Sequence, residues 1–115
     1  MKEWDDMILR ASKRPNGRTF PFTLTRVVYS HAEKNEAFRG AVDRGVRRFL
    51  EGDWGSLCEN DVKVNEGDIR SGQGRAMGIY PVPDMNEGDG DRLWIIADIT
   101  GNELYAITAL YPNEN

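Results

Sequence analysis

The side chains best suited to proton transfer and nucleophilic attack are His31 and Cys58, the single histidine and the single cysteine of the chain. An imidazole titrates near neutral pH and can exchange protons with a substrate. A thiol at the start of a helix has a lowered pKa, which favours the reactive thiolate. Each also has a structural interpretation, because His31 follows a predicted helix cap and Cys58 can fill a small apolar space. We expect the structural roles and therefore predict no catalytic residue.

The sequence also offers few residues that could bind a metal ion or a cofactor. One cysteine and one histidine exclude an internal disulfide and a multi-cysteine zinc site. The acids of segment 84–91 are interleaved with glycines, as in calcium loops, which need glycine at the sixth position and a bidentate glutamate at the twelfth. Counted from Asp84, those positions hold Asp89 and Ile95. We therefore predict a solvated loop, with no metal ion and no cofactor.

Charge is distributed unevenly along the chain. The first 50 residues carry 11 basic and 6 acidic side chains, whereas the remaining 65 carry 4 and 13. An acidic surface can meet a basic protein or imitate nucleic acid, although it can also serve solubility alone. The acids predicted to form a protein-binding surface are Glu51, Asp53, Glu59, Asp84, Glu87, Asp89 and Asp91.

Trp54 is the aromatic residue that we single out for a partner. It stands in the sequence Gly52-Asp53-Trp54-Gly55, beside the end of the strongest predicted helix. Tryptophan is favoured at the energetic centre of protein interfaces, so Trp54 could be the desolvated anchor of the acidic surface. The alternative is that its ring packs as a lid against Phe49.

A second candidate surface is basic. The arginines of the strongest predicted helix that could face nucleic-acid phosphates are Arg39, Arg44, Arg47 and Arg48. Three of them lie within about one helical turn and can form a single stripe. Acids close by in the sequence, among them Asp43, can pair with these arginines, which would leave only a solvated helix face.

Apolar spacing predicts the helices that must position these residues. Apolar residues three and four apart predict one helix over Trp4–Ala11 and the strongest one over Phe38–Leu50. Ser-x-x-Glu spacings predict capping boxes at Ser30 and Ser56. The second box starts a shorter, polar helix that ends at Gly72.

β-branched and aromatic residues predict the strands. Thr19–Ser30 reads as one strand, and Ala76–Val82, Leu93–Thr100 and Leu104–Tyr111 read as three more with short links, which is typical of an antiparallel meander. The predicted fold is a single α+β domain: a three- to four-stranded antiparallel sheet, the main helix on one face, and one or two shorter helices. The predicted core comprises Phe38, Val42, Val46, Phe49, Leu93, Ile95 and Ile99.

Length and composition agree with one soluble domain. The chain has 115 residues, of which 39% are hydrophobic and 30% charged. The apolar runs are too short to span a bilayer, and the first residues lack the apolar core of a signal peptide. We therefore predict a cytoplasmic protein with no membrane partner.

Several motifs in a fixed order resemble a known family. They are Glu51-Gly52-Asp53-Trp54-Gly55-Ser56-Leu57, Asp61, Asn65, segment 72–80, Leu93-Trp94-Ile95-Ile96 and Thr108-Ala109-Leu110-Tyr111-Pro112. Together they resemble small "plasmid-related" proteins of bacterial plasmids, conjugative elements and phages. The likeness covers roughly Phe22 to Pro112 and carries over no functional residue. It implies a mobile-element context in a bacterial host.

Three functions from different classes remain open at this stage. The first is a non-enzymatic protein that binds another protein, such as an anti-defence (anti-CRISPR) inhibitor. The second is a nucleic-acid-binding accessory protein that uses the basic helix. The third is a metal-independent ribonuclease toxin, by analogy with helices followed by a meander. Its candidate residues are His31, Arg75, Tyr80 and Thr108.

Overall fold

The computed structural model describes residues 2–12 and 22–115, which form four helices and one four-stranded sheet. The helices are α1 (Lys2–Ser12), α2 (Arg26–Lys34), α3 (Glu36–Leu50) and α4 (Glu59–Ser71). The strands are β1 (Phe22–Leu24), β2 (Gly74–Pro81), β3 (Arg92–Thr100) and β4 (Glu103–Leu110), followed by a short 3-10 turn at Pro112–Glu114. The predicted α+β class is confirmed.

The sheet is mixed and not purely antiparallel. Its strand order is β1-β4-β3-β2, and β2, β3 and β4 form the predicted antiparallel meander. β1 lies beside β4 and runs parallel to it, with Phe22 opposite Ile107. Three helices separate β1 from the meander, and such a long connection permits the parallel pairing that a tight hairpin forbids.

The predicted strand over Thr19–Ser30 is wrong for most of its length. Residues 19–21 lie outside the described part of the chain, and only Phe22–Leu24 is a strand. Helix α2 begins at Arg26, after Thr25, whose hydroxyl accepts a hydrogen bond from the backbone N–H of Val28 at 3.4 Å. This N-cap satisfies a backbone donor that the start of a helix leaves free.

Burial explains why α2 is helical despite its β-branched and aromatic residues. Val28, His31 and Ala32 are buried, and their spacing of three and four places them on one helix face. Val27 and Tyr29 fall on the other face and are exposed. Tertiary packing of one face therefore outweighs the weak strand preference of individual residues.

Both predicted capping boxes are wrong. Ser30 lies inside α2, and the residue that caps α3 is Asn35, whose side chain accepts from the N–H of Phe38 at 2.9 Å. Helix α4 starts after Cys58, which makes no side-chain cap hydrogen bond. Cys58 is exposed, so the prediction that it fills a small apolar space is wrong. The predicted end of α4 at Gly72 is confirmed.

The predicted core is confirmed apart from one residue. Phe38, Val42 and Phe49 of α3 are buried with the inward side chains of β3. Val46 is only half-buried, because it lines an open groove together with Phe22 and Leu24. All four helices contribute to one buried cluster, with Trp4, Val28, Phe38 and Ile69 among their residues.

A bulge in β4 sets which of its side chains face this core. Ile96 pairs with Thr108 and Asp98 with Tyr105, so β4 carries one residue more than β3 across this step. Ala106, within the bulge, has a left-handed φ of 46°. The extra residue lets Leu104 and Ile107 both point inward although their spacing is three, which a regular strand would not allow.

Helix α4 closes the free edge of β2. The side chain of Asn65 bridges one strand residue, with Nδ2 donating to the carbonyl of Met77 at 2.7 Å and Oδ1 accepting its N–H at 3.1 Å. Asp68 accepts the N–H of Arg75, and the N–H of Ile79 donates to the carbonyl of Trp54. Unpaired strand edges can pair with other chains and cause aggregation, and these contacts occupy the edge of β2.

We expect Asn65→Ala to lower the free energy of unfolding by about 2 kcal/mol, because Met77 would lose both side-chain hydrogen bonds in a buried place. Asn60→Ala is the control, since Asn60 is exposed on the same helix and its replacement should stay within about 0.5 kcal/mol of wild type. Urea denaturation followed by circular dichroism measures both. Equal stability of the two variants would contradict the edge-closing role.

Candidate functional site

Trp54 is a core residue. Its side chain is 6% exposed, and its ring lies edge-on to Trp4 at 5.3 Å and to Phe49 at 5.5 Å between centroids. Trp4 in turn donates its indole N–H to the carbonyl of Phe49 at 3.1 Å. The lid interpretation is therefore confirmed, and an exposed anchor at Trp54 is not what the structure presents.

The turn around Trp54 explains the inward direction of its ring. The carbonyl of Trp54 accepts from the N–H of Ile79 at 3.1 Å, and the N–H of Ser56 donates to the carbonyl of Ile79 at 2.9 Å. Gly55 between them has a left-handed φ of 69°. These bonds hold the turn against β2, so the tryptophan can only point into the space between α1 and α3.

The acids near this turn are all exposed, and Asp53 also has local partners. Asp53 accepts from the guanidinium of Arg48 at 2.8 Å and from the backbone N–H of Gly55 at 3.0 Å. The hydrogen bond from Arg48 and then that from Gly55 lower the pKa of Asp53. Asp53 thus holds the turn although its side chain is 50% exposed, and Glu51 and Glu59 are also exposed to solvent.

His31 is buried and both of its ring nitrogens have partners. Its side chain is 1% exposed, Nδ1 lies 2.7 Å from the hydroxyl of Tyr111, and Nε2 lies 2.6 Å from Oε2 of Glu87. Oδ2 of Asp89 is 3.9 Å from the same Nε2. We call His31, Glu87 and Asp89 the histidine cluster. Such a set of nitrogen and oxygen ligands is of the type that holds a divalent metal ion.

The loop 84–91 is folded back onto α2 by its backbone. Asn86, Gly88 and Gly90 have left-handed φ values of 59°, 82° and 83°, alternating with the two acids of the histidine cluster. Asp84 and Asp91 are exposed, as expected for a solvated loop. The unexpected feature is that Glu87 and Asp89 turn toward a buried imidazole.

The loop acids also determine the electrostatics of the cluster. The hydrogen bond and charge of His31 lower the pKa of Glu87. Burial, followed by the negative potential of acids that include Asp89 and Glu114, raises the pKa of Tyr111 to about 12. Tyr111 is therefore a neutral hydroxyl at physiological pH, able to donate to or accept from Nδ1 of His31.

The basic stripe of α3 is partly neutralised. Arg47 pairs with Asp43 at 3.0 Å, and Arg48 is bound by Asp53 while its guanidinium lies 5.4 Å from the ring centroid of Tyr80. Arg39 and Arg44 are exposed and have no ion pair among residues 2–12 and 22–115. Two of the four arginines thus have local partners.

The four residues considered for a ribonuclease do not meet. His31 is enclosed beside Tyr111, and the hydroxyl of Tyr80 donates to the carbonyl of Asp53 at 2.8 Å. Arg75 and Thr108 belong to the opposite face of the sheet, where Arg75 pairs with Asp98 at 3.0 Å and Thr108 lies opposite Ile96. An acid and a base must reach one phosphate together, and this arrangement does not bring them together.

The sheet face turned away from the core carries a row of apolar side chains beside the Arg75–Asp98 ion pair. Register places Met77 opposite Ile96, Ile79 opposite Trp94, and Trp94 opposite Leu110. We call these five residues the outer sheet face. None of them belongs to the buried cluster to which the helices contribute, and all but Leu110 are half-buried.

An antiparallel sheet with one covered face usually shows polar residues on the other. The apolar outer sheet face is therefore the feature that sequence reasoning missed. The signal was present in β3, where Trp94 and Ile96 alternate with Leu93, Ile95 and Ala97. Both sets contain large apolar residues and only Asp98 marks the outer one, so the sequence pattern did not decide which face the helices cover.

No protein-family model matches the sequence, and neither the curated proteins nor the solved structures contain a match. Within the described ranges, none of the helices combines the length and the apolar character needed to cross a membrane.

Proposed function

We propose that this chain is a non-enzymatic protein of a mobile element or phage that acts by binding another protein through the outer sheet face. The observation that carries the proposal is the row of Met77, Ile79, Trp94 and Ile96 on a face that the helix-packed core does not include. Contiguous apolar patches on soluble proteins mark interaction sites. Trp94 offers the large, rigid ring that interface centres favour.

The charges around this face favour a basic partner. Helix α4 runs along one side of it. The groove between the helix and the sheet is lined by Asp61, Asp68 and Met77 and by Arg75, whose charge is paired with Asp98. Glu103, at the start of β4, and Asp91, before β3, are exposed, and the chain has a net charge of −4. The partner we infer is a protein surface with an apolar centre bordered by lysines and arginines. Such attraction speeds encounter more than it deepens affinity.

A more specific form of the proposal is that the partner belongs to a bacterial defence system that handles nucleic acid. Its support is the acidic balance of the chain, its small size and the resemblance to plasmid-related proteins. An inhibitor of the anti-CRISPR kind would present apolar and acidic groups to a groove that normally holds nucleic-acid phosphates. The exposed acids Asp84 and Asp91 add to the negative charge of the chain in the loop that packs against α2.

A nucleic-acid-binding role is supported less well. Arg47 and Arg48 already have acidic partners, which leaves Arg39 and Arg44 as the exposed unpaired arginines of α3 among the described residues. Phosphate contacts supply most non-specific affinity for nucleic acid, and two such contacts supply little.

Ile96→Lys is expected to abolish partner binding and leave the chain folded, because a lysine in the middle of the outer sheet face disturbs the interface and not the core. Val27→Lys is the matched control, with the same kind of change on an exposed position of α2. The tagged chain is incubated with extract of a bacterial host that carries active defence systems, and bound proteins are identified by mass spectrometry. The captured protein is then purified and its association rate measured at two salt concentrations.

The proposal requires that the partner is lost with Ile96→Lys, kept with Val27→Lys, and associates more slowly at high salt. Retention of the partner by folded Ile96→Lys would overturn it. A wild-type dimer in analytical ultracentrifugation that Ile96→Lys converts to a monomer would also overturn it, because the face would then bind a second copy. Binding of mixed DNA and RNA that Arg39→Ala and Arg44→Ala remove would support the nucleic-acid alternative instead.

A further inference from the structure

We propose that the histidine cluster is a binding site for a divalent transition-metal ion, with Zn²⁺ the best fit. The three ligand atoms, one from each of His31, Glu87 and Asp89, lie within 4.8 Å of one another. This inference does not depend on the outer sheet face, which is a separate surface of the molecule.

The imidazole is fixed before any ion binds. His31 is 1% exposed, and its ring lies edge-on to Phe38 at 5.5 Å and to Tyr111 at 5.6 Å between centroids. Nδ1 contacts the Tyr111 hydroxyl at 2.7 Å, which leaves Nε2 directed at the loop. Metal-binding histidines almost always have the second ring nitrogen hydrogen-bonded in this way, because that contact sets the ring orientation and tautomer.

The carboxylates are free to adjust, whereas the imidazole is not. The side chain of Glu87 is 54% exposed and that of Asp89 is 17% exposed. Bond lengths of about 2.0–2.2 Å to a tetrahedral zinc ion place neighbouring ligand atoms about 3.3–3.6 Å apart. The contact of 2.6 Å between Nε2 and Glu87 must therefore lengthen, and that of 3.9 Å to Asp89 must shorten. Both shifts are small movements of loop side chains.

Proton balance is consistent with an ion at this position. A contact of 2.6 Å between Nε2 and a carboxylate oxygen needs a proton between them, because two acceptors would repel each other. The metal ion replaces that proton, and Nδ1 donates a hydrogen to the oxygen of Tyr111. A fully protonated imidazole already carries this hydrogen, and in a neutral imidazole it is the proton displaced from Nε2. Ion binding thus releases one proton to solvent when the imidazole was fully protonated, as is usual for histidine ligands.

The ligand set selects the class of metal. One imidazole nitrogen and two carboxylate oxygens suit zinc and its neighbours, whereas Ca²⁺ and Mg²⁺ prefer six or more oxygen ligands. Three protein ligands leave the fourth tetrahedral position to water. The two carboxylates balance the charge of the ion, and Asp84 and Glu114 are close enough to add to the negative potential at Tyr111.

Zinc chloride titrated into chelator-treated full-length protein in a calorimeter tests the proposal. We expect one ion per chain, a higher melting temperature with Zn²⁺, and no comparable effect of Ca²⁺ or Mg²⁺. Glu87→Gln and Asp89→Asn should each weaken binding by about tenfold or more. Asp91→Asn is the matched control, because Asp91 is an exposed acid of the same loop outside the cluster, and it should bind like wild type.

Two spectroscopic measurements identify the ligand atom without a substitution of the buried His31, which could unfold the chain. Co²⁺ in place of Zn²⁺ should give the visible absorption of a four-coordinate ion, and the Nε2 resonance of His31 should shift on Zn²⁺ binding while Nδ1 stays protonated. Absence of a heat of binding would overturn the proposal. So would equal weakening by Asp91→Asn and Asp89→Asn, or an unmoved His31 resonance, since the ion would then be held by loop acids alone.

Discussion

Trp54→Ala is expected to lower the free energy of unfolding by about 3–5 kcal/mol, as is typical when a large buried aromatic side chain is truncated. The ring fills the space between Trp4 and Phe49, and each contact has edge-to-face geometry. Its removal leaves a cavity lined by two rigid rings that cannot close it. A domain of this size is stable by roughly 5–15 kcal/mol, so the variant should be close to unfolding at physiological temperature.

Trp94→Ala is the control for that result. It also removes a tryptophan side chain, but from the half-buried outer sheet face, so it creates no cavity in the core. Thermal and urea denaturation followed by far-ultraviolet circular dichroism measures both variants without relying on tryptophan fluorescence. We expect Trp94→Ala to lose less stability but to lose the partner. A stable Trp54→Ala variant that fails only in partner binding would show that Trp54 is an interface anchor after all.

Gly55→Ala is expected to destabilise the chain by about 3 kcal/mol or more, because two costs combine at this position. The φ of 69° lies in the left-handed region, and an added Cβ would overlap the carbonyl oxygen of Ile79. Relief of that overlap requires the turn to move from β2 and to break its hydrogen bonds with Ile79. Trp54 would then lose the position that directs its ring into the core.

Gly67→Ala is expected to have the opposite effect on the stability of the chain. Gly67 lies inside α4, and no heavy atom outside its own helix backbone stands within 4 Å of the added Cβ. Alanine is the better helix former by about 1 kcal/mol, so this variant should be slightly more stable than wild type. Equal effects of the two substitutions in urea denaturation would mean that the turn does not need glycine at residue 55.

The elements predicted best from sequence are those whose pattern repeats over many residues. Helix α3 extends over 15 residues with a stripe that includes Phe38, Val42 and Phe49, and it forms as predicted. In β3, Leu93 and Ile95 are buried at the predicted alternation. Secondary-structure predictions are most reliable for long periodic segments, because many residues independently indicate the same buried face.

Shorter elements were predicted less well, because a few residues cannot decide between two periods. In residues 26–34 the β-branched and aromatic side chains favour a strand, whereas packing of Val28, His31 and Ala32 makes a helix. The bulge at Ala106 likewise depends on how β4 pairs with the neighbouring strand β3. Neither feature has a local signal strong enough to outweigh the intrinsic preferences.

The sequence by itself determined the α+β class, the strongest helix, the meander and the acidic character of the second half. Only the tertiary structure decided that Trp54 is covered, that Glu87 and Asp89 meet His31, and that the bare sheet face is apolar. His31 and Glu87 are 56 residues apart, and their contact depends on how α2 and the loop 84–91 pack on the same side of the sheet. Local periodicity reports which way a side chain points within its own element. It does not report which distant residue that side chain will meet.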